Sequence, residues 1–598
     1  MMVEQKQTNK GHTVWKSLGG NNPDTIGGNS HSYMYTDNNG KTESIVIDFG
    51  SLFCDEEKTG YSSVIPDARV HFDKADGSEK AELPASAILI THGHQDHIGG
   101  LPHLIKMGYK LPPIMGSKLT LEYVKQILQS QWVKKEEWPE LKVVEPNQKL
   151  KLGNFEIEPV AVTHSMPNSL GFYIKTPDAK IFHSGDFKSD QTVPVGKPFD
   201  KARVEEISKE EINAVMVDST SVFKSGKVTE EEQIYKNILD IVEENQDKRI
   251  VIPVISSSTQ RLASIAKVAA ATGKTIVLEG ASLINSERAL KNADISLAKI
   301  AGFDESQMTE VNGRATNCKL VVKGGSAYER SLDDSDKIVV CTGTQGEEVS
   351  SFYKAVHRNF LSEEEKANSV NEKRPNPFTI SKDDCIVMAQ TAIPGNEESY
   401  YNLLEVVAKD LGAKVYVPKL PDNEEQSKLF SCKEIHASGH GGKGDLEVLY
   451  KALIENSEKK DLVVVPVHGS KDHIDENAKF AESLGLKSSK HQNFEGLEIS
   501  DEGVKPVALK IGEKGLEIEP QKENVPQEVT WIGLKRKSKD WLKPFYDYDK
   551  IDSKYKKVES LVRDKVTKKD ILKANRDHYR KSRQLKQIFA KKFWRDRD

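Results

Sequence analysis

The stretch THGHQDHIGG, residues 91–100, places three histidines and one aspartate within six positions: His92, His94, Asp96 and His97. It follows the apolar run Ala87-Ile88-Leu89-Ile90, which reads as a buried strand. In an extended chain, residues i and i+2 point the same way, so His92 and His94 can face one metal ion. Asp96 and His97 follow as the chain turns and can face a second ion about 3.5–4 Å away. Gly93, Gly99 and Gly100 leave room for a tight turn and a close backbone approach. A surface loop with accidental histidines is a poor account of such a density.

Four ligands do not complete two sites, because a catalytic zinc takes three protein ligands and keeps a position open. Further donors stand at the ends of apolar strands. His164 ends PVAVTH (159–164), Asp186 ends KIFHSGD (180–186) and His468 ends LVVVPVH (462–468). The five cysteines, Cys54, Cys318, Cys341, Cys385 and Cys432, are far apart and form no CxxC pair. That excludes a thiolate site and a disulfide framework, and points to a reducing, cytoplasmic setting. Imidazoles with carboxylates suit zinc, with manganese as the alternative.

The series HxHxDH, then His, Asp and His, resembles the metallo-β-lactamase fold, an αββα sandwich of two sheets. The resemblance implies that His92, His94 and His164 hold one metal. It gives Asp96, His97 and His468 to the other, with Asp186 bridging. From Asp186 to His468 is 282 positions, far more than a single domain of this fold needs. The interval alternates strands with helices: RIVIPVIS (249–256), TIVLEG (275–280), IVVCTGTQG (338–346), CIVMAQTAIPG (385–395) and AKVYVPK (413–419). Such alternation implies a mainly parallel sheet covered on both faces. The arrangement resembles the β-CASP nucleases, in which a second α/β domain is inserted over the metal site. Their acidic motif matches Asp218 in VDST (217–220), and their histidine motif matches His440 in HASGH (436–440). Within that group the chain is most similar to the ribonuclease J family. HSGDFK (183–188), TGTQGE (342–347), IPGNE (393–397) and PVHG (466–469) carry the match, which spans about residues 15–490.

The resemblance implies a metal-dependent ribonuclease of RNA processing and decay. It would act as a 5′→3′ exonuclease on 5′-monophosphorylated RNA and also cut internally, by two-metal hydroxide attack on the phosphodiester. Asp96, Asp218 and His440 form the catalytic set, His440 as general acid oriented by Asp218. His436, Ser438 and Gly439 hold the substrate phosphate, and the Gly343–Gly346 turn adds N–H donors. Two divalent ions are the cofactors. The implied partners are single-stranded RNA, further copies of the chain as a dimer or tetramer, and RNA-decay or ribosome-associated proteins, with no membrane. The competing readings are a DNase or small-molecule hydrolase of the same superfamily, and a non-catalytic RNA-binding subunit. HASGH and the inserted domain disfavour the small-molecule reading, and the intact donor series disfavours the last.

The expected division is a disordered 1–12, a metallo-β-lactamase domain over 13–222 and 431–495, and a β-CASP domain over 223–430. A linker over 496–560 and a basic helical segment over 561–598 complete it. No apolar run approaches the ~18 residues of a membrane span. Residues 531–598 hold 23 Lys+Arg against 10 Asp+Glu, a net of +13. That leaves −18 for the remainder of a chain whose total is −5. A tail of that sign suits polyanions. Thr567 and Asp570 form a capping-box pattern, and Leu585, Ile588, Phe589 and Phe593 mark an apolar stripe at helical spacing.

Overall fold

Strands outweigh helices in the first two hundred residues, and the longer ones carry alternate residues into two different apolar layers. In Thr42–Ile47, Ile45 and Ile47 face one core while Val46 faces another, the period-2 signature of a sheet buried on both sides. The structure, a computed structural model, describes residues 11–22, 24–54, 61–302, 309–311, 314–316, 320–322, 332–348, 350–361, 378–393, 396–458, 461–512, 515–520, 530–534 and 543–546. The expected tail helix (Thr567 onward) and residues 1–10 lie outside these. Chain contacts gather 1–527 and 532–543 into one compact unit, which carries both sandwich sheets and the inserted sheet.

Two sheets pack face to face. The larger runs, edge to edge, Leu141–Val143, Ile114–Gly116, Ala85–Leu89, Thr42–Ile47, Ser30–Thr36, His12–Gly19, Gly496–Ser500, Gly503–Gly512 and Gly515–Pro520. The second runs Leu150–Leu152, Phe155–Val162, Ser169–Lys175, Lys180–His183, Ala214–Asp218, Val463–Val467 and Lys487–Ser488. Trp15, Tyr33, Ile45 and Leu89 meet Phe155, Phe172, Ile181, Met216 and Val465 in the layer between them. Outside the larger sheet lies the helix Lys118–Ser130. The Ser117 hydroxyl caps it by accepting from the Thr120 N–H, and Leu121, Val124 and Leu128 pack one face inward. Outside the second sheet, Val215, Val217 and Val464 pack on Val204, Leu446 and Leu449 of the helices Lys201–Ile207 and Lys443–Ile454. The architecture is the expected αββα sandwich.

Between its two parts the chain builds a third sheet. Its order is Leu320–Val322, Thr275–Glu279, Lys337–Cys341, Arg249–Pro253, Asp384–Val387, Lys414–Val417 and Ser431–Cys432, and all neighbours are parallel. Helices Glu231–Glu244 and Thr259–Thr272 cover one face through Ile234, Ile238, Leu262 and Ile265. Helices Ser351–His357 and Glu397–Glu405 cover the other through Phe352, Tyr400 and Leu404.

One expectation needs correction. Within the expected linker, Gly496–Ser500, Gly503–Gly512 and Gly515–Pro520 are strands of the larger sheet: Gly496–Ser500 pairs antiparallel with His12–Gly19, Thr13 opposite Ile499. Leu497 and Ile499 are fully buried. Its few apolar residues are interspersed with lysines and glutamates, so the segment's composition reads as polar although Leu497 and Ile499 face inward.

Candidate metal centre

The donors sit where strands of both sandwich sheets end at one edge. Ile47 leads to Asp48, Leu89 to His92, Val162 to His164, His183 to Asp186, and Val467 to His468. Asp48 and His468 have φ of 59° and 56°, in the left-handed region that non-glycine residues avoid. Strain of this kind concentrates at functional sites, where the surrounding structure holds it in place. Here it turns each side chain abruptly out of its strand.

Three groups of donor atoms form, each within a 4.8 Å spread: His92, His94, His164 and Asp186; Asp96, His97 and His468; and Asp186, Asp218, His440 and His468. Asp186 is shared. One of its carboxylate oxygens lies 3.4 Å from His92 Nε2 and 3.5 Å from His164 Nε2. The other lies 3.2 Å from His97 Nε2 and 2.9 Å from His468 Nδ1. His92, His97, His164, Asp186, Asp218 and His468 are buried, while Asp96 and His440 stay partly open.

Burial drives the His92, His94 and His164 imidazoles toward the neutral form, the form that can donate a lone pair to a cation. His97 and His468 behave oppositely. Burial works against their charge, yet the carboxylates around them, Asp186 foremost, hold both well above the ordinary imidazole range. Burial would likewise raise the Asp186 carboxyl, but His468 and His97 overcome it and hold it well below.

Partners outside the donor set orient it. His97 Nδ1 donates to Asp48 at 2.7 Å, and Asp48 also accepts from the Thr91 hydroxyl and N–H at 2.8 Å each. That fixes the tautomer and leaves His97 Nε2 for a cation. His164 Nδ1 donates to the Gly439 carbonyl at 2.8 Å. The His468 N–H donates to Asn21 Oδ1 at 3.2 Å. Asp48, Thr91 and Asn21 are absent from the sequence-derived set. Asp48 carries the same signal as Asp186, a carboxylate ending the apolar strand SIVID, but no family motif directs attention to it.

His440 Nδ1 donates to Asp218 Oδ2 at 2.7 Å, and its Nε2 faces Asp186 Oδ2 at 3.9 Å. Burial lowers His440, but Asp218 and then Asp186 outweigh it and raise its affinity for a proton. An acid held in this way stands beside the donor cluster. Ser438 Oγ lies 3.2 Å from Ser221 Oγ and accepts from the His440 N–H. His436 is pushed down to about 3 by burial, Arg261 and Lys224, so it is neutral, and its buried Nδ1 has no hydrogen-bond partner among the described residues. In the Gly343–Gly346 turn the Gln345 N–H is already taken by Glu347 at 2.9 Å.

The donor set fits divalent cations. Among the described residues, His92 Nε2 is buried without a hydrogen-bond partner, in a ring of neutral imidazoles and carboxylates. Such an orphan is costly unless a metal satisfies it.

Two family models match the chain. The β-lactamase superfamily domain covers residues 65–221, and the "Ribonuclease J, beta-CASP domain" covers 247–407. Ribonuclease J of Mycobacterium tuberculosis is 27% identical over 442 residues, 74% of this chain and 67% of that protein. Ribonuclease J2 of Bacillus subtilis is 25% identical over 449 residues, 75% of this chain and 69% of that one. A solved Enterococcus faecalis protein of unknown function superposes with a TM-score of 0.52 at 16% identity, covering 82% of this chain and all of its own; that likeness bears on the fold alone.

Proposed function

We propose, for a chain that belongs to the ribonuclease J family of the metallo-β-lactamase superfamily, that it hydrolyses single-stranded RNA. It removes nucleotides 5′→3′ from a monophosphorylated end and also cuts internally. The observation that carries the reading is the 2.7 Å Asp218–His440 bond placed against the shared carboxylate of Asp186. It puts a proton donor beside the donor cluster. A phosphodiester needs that donor when its leaving oxygen departs.

His92, His94 and His164 would hold one divalent ion and Asp96, His97 and His468 the other, with Asp186 between them. Zinc is the first choice for this donor set. Two bound cations supply a water made acidic enough to ionise near neutral pH and positive charge against the phosphoryl oxygens. The chain's own residues do the rest. Asp48, the Gly439 carbonyl and Asn21 hold three ligands in orientation. Asp218 keeps the proton on His440 and aims its Nε2. His440 gives that proton to the leaving oxygen. Neutral His436, with Ser438 and Gly439, offers hydrogen bonds rather than charge to a terminal phosphate.

In domain terms, we assign the described residues of 13–222 and 433–500, with the strands Gly503–Gly512 and Gly515–Pro520, to the hydrolytic sandwich, and those of 223–432 to the inserted β-CASP domain. No described helix is long and apolar enough to cross a membrane. Cys54, Cys341, Cys385 and Cys432 are free thiols, which supports a reducing compartment.

The test uses end-labelled 5′-monophosphate RNA, 5′-triphosphate RNA and matched DNA, with Zn2+ or Mn2+ and with a chelator. Mononucleotide release from the monophosphate RNA, lost in His92→Ala, is expected. Cleavage of DNA alone would replace this reading with a DNase. No cleavage of any nucleic acid by the metal-loaded protein would overturn it.

A further inference from the structure

Five residues past Asp218, the sequence FKSGK (223–227) forms an exposed turn. Its Phe223 side chain is 59% exposed, unusual for a large aromatic in a segment that leads out of a buried strand. The turn is nevertheless rigidly held. The Lys443 N–H donates to the Lys224 carbonyl at 2.8 Å, and the Gly444 N–H donates to the Gly226 carbonyl at 3.1 Å. The approach is so close that a Cβ on Gly442 would come within 2.3 Å of the Gly226 oxygen. One on Gly444 would come within 2.6 Å of the Lys227 nitrogen. Ser221, at the other end, touches Ser438. The turn is therefore clamped to the segment that carries His440.

On its remaining side it meets the segment that carries His468. The Phe223 and His473 rings are 4.9 Å apart and steeply inclined at 74°. His473 in turn packs on Gly469, where a Cβ would lie 2.7 Å from His473 Cβ. Phe223 thus stands between the two segments that frame the donor cluster, propped edge-on and open to solvent. Lys224 and Lys227 are exposed, and neither forms an ion pair among the described residues. Packing does not require an apolar ring here, and Asp445, the carboxylate that acts on Lys224, is already engaged by Ser189 and the Val228 and Gly442 N–H groups.

We propose that the turn Phe223–Lys227 is a single-stranded RNA subsite beside the metal centre, Phe223 stacking one base while Lys224 and Lys227 meet the flanking phosphates. A ring next to cations on a rigid element is the combination that single-strand binders use, and stacking tolerates every base. The inference rests on the nuclease reading and deepens it: a base held here fixes the strand next to the bond being cut.

The experiment measures binding of the full chain to a short 5′-monophosphorylated oligo(U), and to the same oligomer with abasic positions, in chelator across a salt series. Cleavage with metal is followed in parallel. Phe223→Ala is expected to weaken oligo(U) binding roughly 5- to 150-fold, the range that aromatic–base stacking supplies. Phe223→Trp should retain it. On the oligomer abasic at the stacked position, Phe223→Ala and the unaltered protein should bind alike. Lys224→Ala with Lys227→Ala should flatten the salt dependence, by about 0.7 in log–log slope for each phosphate that a lysine no longer neutralises. Unchanged oligo(U) affinity in Phe223→Ala overturns the proposal, as does an equal loss at every abasic position. If the unaltered protein still cleaves RNA in that event, the nuclease reading survives alone; if it neither binds nor cleaves, both fall.

Discussion

His164 Nδ1 lies 2.8 Å from the carbonyl oxygen of Gly439, across 275 positions of chain. A candidate metal ligand of the first sandwich segment is thereby oriented by the loop that carries the candidate acid. The approach leaves no space at position 439: a Cβ there would sit 2.7 Å from His164 Cε1 and 2.9 Å from its Nδ1. Gly439→Ala must displace either the imidazole or the loop. The expected result is a kcat loss of at least about tenfold, with a stability cost within the roughly 1–3 kcal/mol of overpacking. Turnover beside a thermal melt checks it. Unaltered kcat would show that the loop gives way freely.

The Asp218–His440 pair sets a pH dependence. The carboxylate raises the imidazole's proton affinity, so His440 stays protonated to higher pH than an isolated imidazole. Activity that needs that proton is present below the raised value and falls as pH rises through it. Asp218→Asn removes the raising charge, so the alkaline limb of the kcat profile should move to lower pH. His440→Ala should lose about 10²- to 10⁴-fold in kcat, the usual contribution of a positioned acid. A pH–rate profile of both variants is the measurement, and an unmoved alkaline limb in Asp218→Asn refutes the assignment.

Asp48 reaches any cation only through His97, yet its 2.7 Å bond decides which ring nitrogen faces the cluster. Replacing it with alanine should weaken metal affinity about 10- to 100-fold, as loss of such a partner does elsewhere. Zn2+ titration of the stripped protein against a competing chelator measures this.

Because Asp186, Asp96 and Asp48 hold His97 above the ordinary imidazole range, and Asp186, Asp218 and Asp96 do the same for His468, cation binding near neutral pH should expel protons. Calorimetric titration in two buffers of different ionisation enthalpy should give different apparent enthalpies. Saturating metal should also raise Tm, adding about 2.7 kcal/mol of stability at a hundredfold excess over Kd.

Beneath the same loop, Arg261 is wholly buried. It donates to both oxygens of Glu231 at 3.1 and 3.3 Å, to the Ile435 carbonyl at 2.8 Å and to the Ala389 carbonyl. Arg261→Met leaves the Glu231 charge buried without its partner. A loss of about 3–5 kcal/mol is expected. Chemical denaturation measures it, and adding Glu231→Gln should recover part of the loss.

The sequence alone determined the kind of chemistry. His92 and His94, two residues apart just past an apolar strand, can share a face because extended geometry sends i and i+2 the same way, and Asp96 and His97 follow on the turn. Terminal donors on the apolar runs ending at His164, Asp186 and His468 are legible for the same reason. So is the parallel inserted sheet, since strands buried on both faces read as continuous apolar runs. The strands Gly496–Ser500, Gly503–Gly512 and Gly515–Pro520 are illegible because their few apolar residues are interspersed with lysines and glutamates and form no long apolar run. What only the tertiary structure decided are relationships between distant segments. The sharing of Asp186 by two donor groups, the tautomer of His97 set by Asp48 and the clamp of Gly439 on His164 belong here. So does the stance of Phe223 between the His440 and His468 segments. Each depends on a distance of a few ångströms between residues tens to hundreds of positions apart, and local residue pattern carries no record of which backbone approaches which.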